Sequence, residues 1–334
     1  MLHYVSMKKN TGIIKIFISL LVFSVVVLIA VSAILLFLLR PVDVSNKQLV
    51  RFVVTRGQSV SEIGDNLLEK GLIRNSTAFK IYYRINQEKH TVQAGSYELS
   101  PAMSVTQILE ALSDGADDIW ITFPEGLRRE EISQSLQEYQ LENFDSEQFL
   151  LQTIGMEGRL FPDTYLVPKQ IQTQAIITLM NNTFEQKIAL LSDQIENHDY
   201  SEEELIVIAS LLEREAQGLD QMRRVAGVIY RRLEIGIPLQ IDATLQYAKG
   251  FNEQTGNWWA VPQSADKELD SRYNTYRNPG LPPGPICNPG FEALQAAVDP
   301  LFTDNLYYIH DRSGQIHFAR TLEEHNRNVN TYLR

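Results

Sequence analysis

The pattern of apolar and polar positions separates one long uncharged run from a remainder built of short amphipathic segments. Ile16–Leu39 holds 24 residues without a charge, and almost all are Ile, Leu, Val, Phe or Ala. As a helix rising about 1.5 Å per residue, this run is roughly 36 Å long, enough to cross a bilayer core of about 30 Å. It is longer than the apolar region of a secretory signal, and Phe37–Arg40 offers no small-residue cleavage site. The pattern predicts a transmembrane helix over 16–39, with a buried core helix as the alternative.

The charges around this run predict how it is oriented. Lys8, Lys9 and Lys15 precede it, so the positive-inside tendency assigns residues 1–15 to the cytoplasm, with either Met1 or Met7 as the start. The remaining 294 residues, which carry 26 basic against 41 acidic residues and a net charge of −15, are then outside the cytoplasmic membrane, in a periplasmic or extracytoplasmic position. This charge predicts no nucleic-acid partner. Nucleotide cofactors are scarce outside the membrane, which argues against kinases and dehydrogenases.

A short extended run, a turn and an amphipathic helix then recur three times. After a linker at 40–47, the three units lie at 51–68, 97–112 and 119–136, and Ser59 is the predicted cap of the first helix. Three unevenly spaced copies are too few for a solenoid. They predict one small α+β domain over about 48–122, with the third copy leading into the next region.

Residues 123–334 are expected to form a larger mixed α/β domain, which makes the predicted fold class α+β. The region is mainly helical to residue 200, with one interruption at 157–168. Ser201 and Glu204 form a predicted capping box for a helix with an apolar stripe. The further predicted elements are a helix at 221–233, a strand ending within 239–244, a Pro/Gly-rich loop at 278–290, a hairpin of 306–310 with 315–319, and a closing helix capped by Thr321 and Glu324.

Composition narrows the class of protein and the cofactors. The chain has 334 residues, 44% hydrophobic and 21% charged, which is ordinary globular usage and excludes a collagen-like or mostly disordered chain. The only cysteine, Cys287, cannot form an internal disulfide or a cysteine-based zinc site. His310, His317 and His325 could be zinc ligands, but they lack a fourth ligand at a recognisable spacing. We therefore expect no metal and no cofactor.

One carboxylate is a candidate for acid catalysis. Glu213 follows Leu211 and Leu212 at the margin of the apolar stripe of the helix that begins after Ser201. Partial withdrawal from water raises the pKa of a carboxyl group, as a general acid near neutral pH requires. The alternative is a helix-edge glutamate paired with an arginine such as Arg214, Arg223 or Arg224, and the local pattern by itself favours this alternative.

Three later segments are candidates for the walls of a cleft. Leu239–Thr244 alternates apolar and polar residues, Tyr273–Tyr276 sets Asn and Thr between two aromatic rings, and Gly280–Gly290 is a rigid loop. Amide and hydroxyl groups beside flat aromatic faces suit a sugar ligand. The candidate binding residues are Gln240, Asp242, Thr244, Tyr273, Asn274, Thr275, Tyr276 and Asn288.

With Leu160–Tyr165 upstream and Ala209–Glu215 around Glu213, these segments resemble the MltG (YceG-like) family of endolytic murein transglycosylases. The resemblance covers nearly the whole chain, including the anchor and a looser, LysM-like match over the small domain. It assigns the catalytic glutamate to Glu213, and it assigns cleft motifs to Gln240, Asp242, Tyr273, Asn274, Thr275 and Asn288. One departure is Arg159, where an aromatic residue is expected.

The resemblance implies a membrane-anchored enzyme that cuts between N-acetylmuramic acid and N-acetylglucosamine within peptidoglycan strands and leaves 1,6-anhydro ends. Its implied partners are glycan strands, the membrane, and peptidoglycan synthases of the elongation or division machinery. Glu213→Gln is then expected to fold and yet form no anhydro ends. Two alternatives remain: a muramidase that uses Asp242 or Asp163 as a second carboxylate, and a non-catalytic glycan-binding scaffold that recruits synthases.

Overall fold

The computed structural model describes residues 3–88, 90–114 and 118–333, and Met1 and Arg334 lie outside these ranges. The helices in the described part are α1 (His3–Leu38), α2 (Val60–Glu69), α3 (Ser76–Asn86), α4 (Val105–Asp114), α5 (Arg129–Glu138), α6 (Ser146–Gln152), α7 (Thr173–Ala189), α8 (Ser192–Glu196), α9 (Glu202–Glu215), α10 (Leu219–Glu234), α11 (Asp242–Lys249), α12 (Phe291–Val298) and α13 (Leu322–Tyr332). The strands are β1 (Val50–Val54), β2 (Gly95–Leu99), β3 (Asp118–Thr122), β4 (Thr164–Pro168), β5 (Tyr307–His310) and β6 (Ile316–Ala319). The fold is mixed α+β, as the sequence predicts.

The apolar run near the amino terminus forms one long helix. Within α1, Ile16–Leu38 is long and apolar enough to cross a membrane, and its side chains are not buried by the rest of the chain. The expectation of an apolar helix that could anchor the protein is confirmed. Directly after α1, the guanidinium of Arg74 donates hydrogen bonds to the carbonyls of Pro41 and Val42 and lies 5.2 Å from the centre of the Phe37 ring.

The chain divides into two compact units, and the first comprises residues up to Trp120 together with Leu166–Pro168. A four-stranded sheet has the order β1-β2-β3-β4, and β1 pairs antiparallel with β2 from Val50↔Leu99 to Val54↔Gly95. Its helix α2 begins at the predicted cap Ser59, which forms a capping box with Glu62. Helix α3 is not predicted from the apolar pattern. The core of this unit consists of side chains from the sheet and helices, among them Phe52, Leu67, Phe79, Leu99 and Leu112.

The second unit comprises Ile121–Tyr165 and the chain from Lys169 onward. At its centre α9 packs against α10 and α12, and all residues of α9 from Leu205 to Leu212 are buried. The predicted capping box of Ser201 and Glu204 starts α9, the predicted hairpin is β5–β6, and Thr321 caps α13. The local signals for these elements are therefore confirmed.

The predicted strand ending within 239–244 is wrong. Residues 239–241 are neither strand nor helix, and α11 begins at Asp242. Gln240 has a φ of 53°, in the left-handed region that an extended strand does not visit. The carbonyls of Pro238 and Leu239 accept hydrogen bonds from the buried guanidinium of Arg232, so a side chain occupies the positions where a neighbouring strand would bond.

Candidate active site

Glu213 lies in the last turn of α9, and its carboxylate is held by a loop. Its Oε2 accepts a hydrogen bond of 2.9 Å from the backbone N–H of Gly290, the residue before α12. Burial raises the pKa of Glu213, the Gly290 bond lowers it, and the nearby charge of Glu125 raises it further. Of the three arginines predicted as partners, Arg223 pairs with Asp299 and Arg224 with Asp220, whereas the charge of Arg214 lowers the pKa of Glu213.

Glu215, two residues further along, is in a different environment. Its Oε2 accepts a hydrogen bond of 2.7 Å from the hydroxyl of Tyr308 on β5. Burial of the carboxyl group raises the pKa of Glu215 to about 7, and the charge of Asp242 acts in the same direction. The Tyr308 bond and the charge of Arg214 oppose this rise. Glu215 is therefore a carboxyl group divided between its two protonation states near neutral pH, as general acid–base catalysis requires.

Glu215 faces a cleft of about 360 Å³, which we call the Glu215 cleft. Side chains from α10, from the start of α11, from the 267–276 segment, from the hairpin and from α13 all line it. The lining residues are Glu215, Arg232, Leu239, Gln240, Asp242, Lys267, Tyr276, Tyr307, Tyr308, Leu322 and His325. Three of the predicted binding residues (Gln240, Asp242 and Tyr276) thus share one cleft with an acidic group of raised pKa, and Glu213 is not among its lining residues.

Two buried threonines fix the backbone on one side of this cleft. The backbone N–H groups of Gln240 and Ile241 donate to the carbonyl and the Oγ1 of Thr275, at 3.1 and 3.0 Å. The Oγ1 atoms of Thr244 and Thr275 are 2.9 Å apart, and neither side chain is accessible to solvent beyond 1%. These bonds hold Gln240 in its left-handed conformation. Thr244 and Thr275, both predicted to bind substrate, are positioned instead to shape the cleft from below its surface.

Tyr276 and Asp242 form a hydrogen-bonded pair in the wall of the Glu215 cleft. The hydroxyl of Tyr276 donates to Oδ1 of Asp242 at 2.6 Å. The backbone N–H of Tyr276 in turn bonds to Oδ1 of Asn274, whose Nδ2 donates to the carbonyls of Lys267 and Leu269. Asn274 is fully buried, so it holds the loop rather than the cleft surface.

Tyr273 faces a second cleft, of about 420 Å³, that contains Glu157 and the wall Pro282–Pro285. The rings of Tyr247 and Tyr273 are 4.8 Å apart at their centres. Burial raises the pKa of Glu157 to about 7, and the charge of Glu130 adds to this rise. The predicted site residues are therefore divided, with Tyr273 and the proline wall in the cleft of Glu157, and Gln240, Asp242 and Tyr276 in the Glu215 cleft.

Asn288 is buried and joins three segments of the second unit. Its Oδ1 accepts from the backbone N–H of Leu160 at 2.9 Å, and its Nδ2 donates to the carbonyl of Leu127 and to Oε1 of Glu157 at 3.0 and 2.8 Å. At 1% exposure it does not reach a ligand surface. These bonds fix the loop before α12. The same loop contains Gly290, whose backbone N–H donates to Glu213.

The other candidates lie apart from the Glu215 cleft. Arg159, which replaces an expected aromatic residue, forms ion pairs with Glu185, Glu202 and Glu203 and lies 5.2 Å from the centre of the Phe184 ring. A cavity of about 800 Å³ between α10 and residues 302–304 contains none of the predicted site residues. Among the described residues, no group of three or more His, Cys, Asp or Glu side chains is arranged to hold a metal ion.

Glu215 is not among the site residues that the sequence predicts. It belongs to the same Ala209–Glu215 segment as Glu213, and two positions on a helix differ by about 200°, so the two carboxylates point to opposite sides. The local pattern gives no sign of which side meets a cleft, because the contacts of Glu215 come from residues far along the chain, Asp242 and Tyr308. The sequence signal that could have pointed to Glu215 is its position at the end of a helix that is followed by segments with polar cleft residues.

The chain is similar to known proteins over most of its length. The sequence model of the YceG-like family matches residues 52–331. A Bacillus subtilis protein named endolytic murein transglycosylase is 31% identical over 324 residues, which cover 89% of this chain and 88% of that protein. A protein of the same name from Streptococcus pneumoniae strain R6 is 29% identical over 330 residues, and the match covers 87% of this chain but 60% of the pneumococcal protein.

A solved structure is also similar. The 2.6 Å crystal structure of a yceG-like protein from Listeria monocytogenes aligns with a TM-score of 0.58 and 31% identity. The alignment covers 84% of this chain and 99% of the Listeria chain. Sequence and fold are therefore each similar to known proteins over a large part of the molecule.

Proposed function

This chain belongs to the YceG-like family, and from that premise we propose that it is a membrane-anchored endolytic lytic transglycosylase of peptidoglycan. Its relatives from Bacillus and Streptococcus are named endolytic murein transglycosylase. The observation that carries the proposal is the Glu215 cleft, in which one carboxyl group of raised pKa shares the surface with Gln240, Asp242 and Tyr276. Glu215 is the proposed acid, and Glu213 remains the alternative prediction.

In the proposed reaction Glu215 acts twice on the same bond. In its protonated form it donates to the glycosidic oxygen, the bond from that oxygen to C1 of N-acetylmuramic acid breaks, and N-acetylglucosamine leaves with its 4-hydroxyl. The Glu215 carboxylate then accepts the proton of the muramyl C6 hydroxyl while O6 bonds to C1 and closes the anhydro ring. The proton returns to Glu215 and no water is consumed. Because the nucleophile is part of the substrate, much of the entropic cost of recruiting water is avoided.

The environment of Glu215 suits both steps. Burial and the charge of Asp242 favour the protonated acid before cleavage, whereas the hydrogen bond from Tyr308 stabilises the carboxylate that forms during cleavage. A pKa of about 7 lies between these requirements, so neither proton transfer is strongly uphill near neutral pH. The amide of Gln240 and the Tyr276–Asp242 pair supply hydrogen-bonding groups at the same surface for sugar hydroxyls.

A second candidate reaction is hydrolysis by a muramidase mechanism. The presence of Asp242 in the same cleft as Glu215 favours it, because hydrolysis of a glycoside ordinarily uses two carboxylates. The hydroxyl of Tyr276 donates a hydrogen bond to one oxygen of Asp242. Asp242 is therefore less available as the base that activates water. Asp163, the other residue considered for this role, is not among the residues that line the Glu215 cleft.

The proposal extends to the organisation of the chain. The domains are a cytoplasmic segment at 1–15, the anchor, a linker at 40–47, a LysM-like small domain at 48–122 and a catalytic domain at 123–334. The lysines before the anchor support an orientation with the catalytic domain outside the cytoplasmic membrane. An anchored enzyme reaches strands near the membrane, so nascent strands are the proposed substrate and peptidoglycan synthases the proposed partners. Removing the anchor while keeping export should abolish any preference for nascent strands.

The experiment that tests the reaction class is a digest of purified peptidoglycan by the full chain in isotopically labelled water, with mass spectrometry of the products. A transglycosylase yields fragments one water lighter than those of a muramidase, and these fragments carry no label from the solvent. Labelled, reducing ends would establish hydrolysis and overturn the proposal. Intact strands would favour the scaffold alternative, under which glycan binding persists without cleavage.

A further inference from the structure

The Glu215 cleft contains two cationic side chains, Arg232 and Lys267. Only Arg232 uses its charged group in hydrogen bonds that hold the fold together. The guanidinium of Arg232 is buried and donates to the carbonyls of Leu306, Pro238 and Leu239. Lys267 is exposed to solvent. Among the described residues, no carboxylate forms an ion pair with its amine. Lys267 is therefore a cation at the cleft surface whose charge the fold does not neutralise.

The position of Lys267 is fixed by residues of the site. Its backbone carbonyl accepts a hydrogen bond from the buried Nδ2 of Asn274, so the 3₁₀ turn at Ser264–Glu268 is tied to the 273–276 segment. Its Nζ lies 4.7 Å from the centre of the Tyr276 ring, within the range of a cation–π contact. Since the Tyr276 hydroxyl is bonded to Asp242, the amine, the ring and the carboxylate form one connected piece of the cleft wall.

The cleft otherwise presents negative charge. Asp242, and Glu215 once it has lost its proton, are the acidic groups of its lining, so an anionic group of a ligand would be repelled unless a cation with free donors stood nearby. Muramic acid differs from glucosamine by a 3-O-lactyl group that carries a carboxyl. In strands without peptide this carboxylate is free, and in strands with stem peptides it is an amide, but the peptide brings carboxylates of its own.

We propose that Lys267 is a specificity-determining residue that binds a carboxylate carried by the lactyl substituent of the muramyl residue in the Glu215 cleft. The inference rests on the proposed function and adds the chemical feature of the substrate that the cleft selects. An ammonium group is a compact cation with three donors, which suits a carboxylate approaching from several directions. The ligand feature is the same whether the carboxylate is the lactyl group itself or part of a stem peptide.

The test uses Lys267→Met, which keeps side-chain length and removes charge, and Lys267→Arg, which keeps the charge. Lys187→Met is the matched control, because its amine also lies over aromatic rings, of Phe161 and Phe291, but does not line the cleft. Each full-length protein is given three substrates: strands with stem peptides, strands without peptide, and peptide-free strands with methyl-esterified lactyl groups. Anhydro-product formation gives kcat and KM, and binding to the same strands is measured in a Glu215→Gln background.

We expect Lys267→Met to raise KM and weaken binding roughly tenfold on carboxylate-bearing strands, with little change in kcat. Lys267→Arg and Lys187→Met should stay near the parent protein. If the effect appears on peptide-free strands and vanishes on esterification, the lactyl carboxylate is the partner. If it appears on peptide-bearing strands instead, a stem-peptide carboxylate is the partner.

Equal KM and binding for Lys267→Met and Lys187→Met on all strands would overturn the inference, as would an equal loss on esterified strands. Failure of the proposed function has a different signature. In that case the parent protein forms no anhydro ends, and the binding arm in the Glu215→Gln background still decides the role of Lys267. Absence of strand binding in every variant would also overturn it.

Discussion

Glu213 and Glu215 lie two positions apart at the end of α9, and their carboxylates bond to different parts of the molecule. Oε2 of Glu213 accepts from the N–H of Gly290, whereas Oε2 of Glu215 accepts from the hydroxyl of Tyr308 and faces the cleft of Asp242 and Gln240. One turn of helix thus presents one carboxylate to a loop and the other to a candidate sugar site. The pKa is raised for both residues, so the pKa does not distinguish their roles. Their positions do, because only Glu215 lines the cleft.

The pH dependence of turnover should report the protonation of Glu215. The acid must be protonated to donate, and its pKa is raised to about 7, so kcat/KM should fall as pH rises through about 7. The hydrogen bond from Tyr308 stabilises the carboxylate, so Tyr308→Phe should move this alkaline limb to higher pH. The measurement is the pH profile of anhydro-end formation by both proteins. Tyr307→Phe is the control, since Tyr307 lines the cleft without bonding to Glu215. A limb that stays in place or moves to lower pH in Tyr308→Phe would contradict the role of this bond.

Ionisation of the buried Glu215 carboxyl should lower the free energy of unfolding of the chain. Its folded-state pKa of about 7 lies above the ordinary 4.5, so the folded state holds the proton more tightly and the chain loses stability as pH rises from about 4.5 to about 7. Glu215→Gln stays neutral, so it should exceed the parent in free energy of unfolding above pH 7, by up to about 3 kcal/mol, and match it near pH 4.

Urea titrations of the detergent-solubilised chain at both pH values give this difference. Glu196→Gln, at an exposed glutamate, serves as the control and should show no such pH-dependent gain. A Glu215→Gln protein no more stable than the parent at pH 8 would mean that the Glu215 carboxyl is well solvated.

The buried hydroxyl of Thr275 should matter for both stability and catalysis. Thr275→Val removes the acceptor of the Ile241 N–H and the partner of Thr244, leaving polar groups unpaired in the interior. We expect a loss of about 1–3 kcal/mol in free energy of unfolding and a lower kcat, because Gln240 and Asp242 lose their support. Denaturant titration and turnover of Thr275→Val and Thr275→Ser check this, and the serine variant should retain most of both. A larger loss in Thr275→Ser than in Thr275→Val would attribute the effect to packing of the methyl group instead.

The sequence predicts elements whose causes are local. The apolar run of α1, the capping boxes at Ser59 and Ser201, the cap at Thr321 and the β5–β6 hairpin are decided by neighbouring residues, and all are present. The strand predicted within 239–244 fails because its causes are distant. Its conformation depends on Arg232 and Thr275, and alternation of apolar and polar residues carries no information about either.

The candidate site shows the same division. The segments that form the cleft wall can be identified from the chain, but the direction of each side chain cannot. Asn274, Thr275 and Asn288 are polar residues in plausible binding motifs, and each is buried because its hydrogen bonds tie distant loops together. Glu215 could not be told from Glu213, because the bond from Tyr308 spans 93 residues.

Whether Glu215 is the general acid is tested most directly by comparing Glu215→Gln with Glu213→Gln in full-length protein, each checked for native folding by circular dichroism. The quantity measured is the yield of anhydro-muramyl ends from purified peptidoglycan. Removal of a general acid costs roughly 10²–10⁴ in rate, so Glu215→Gln should form almost no anhydro ends, while Glu213→Gln should stay within about tenfold of the parent. An active Glu215→Gln protein beside an inactive Glu213→Gln protein would contradict the role of Glu215 and assign the acid to position 213.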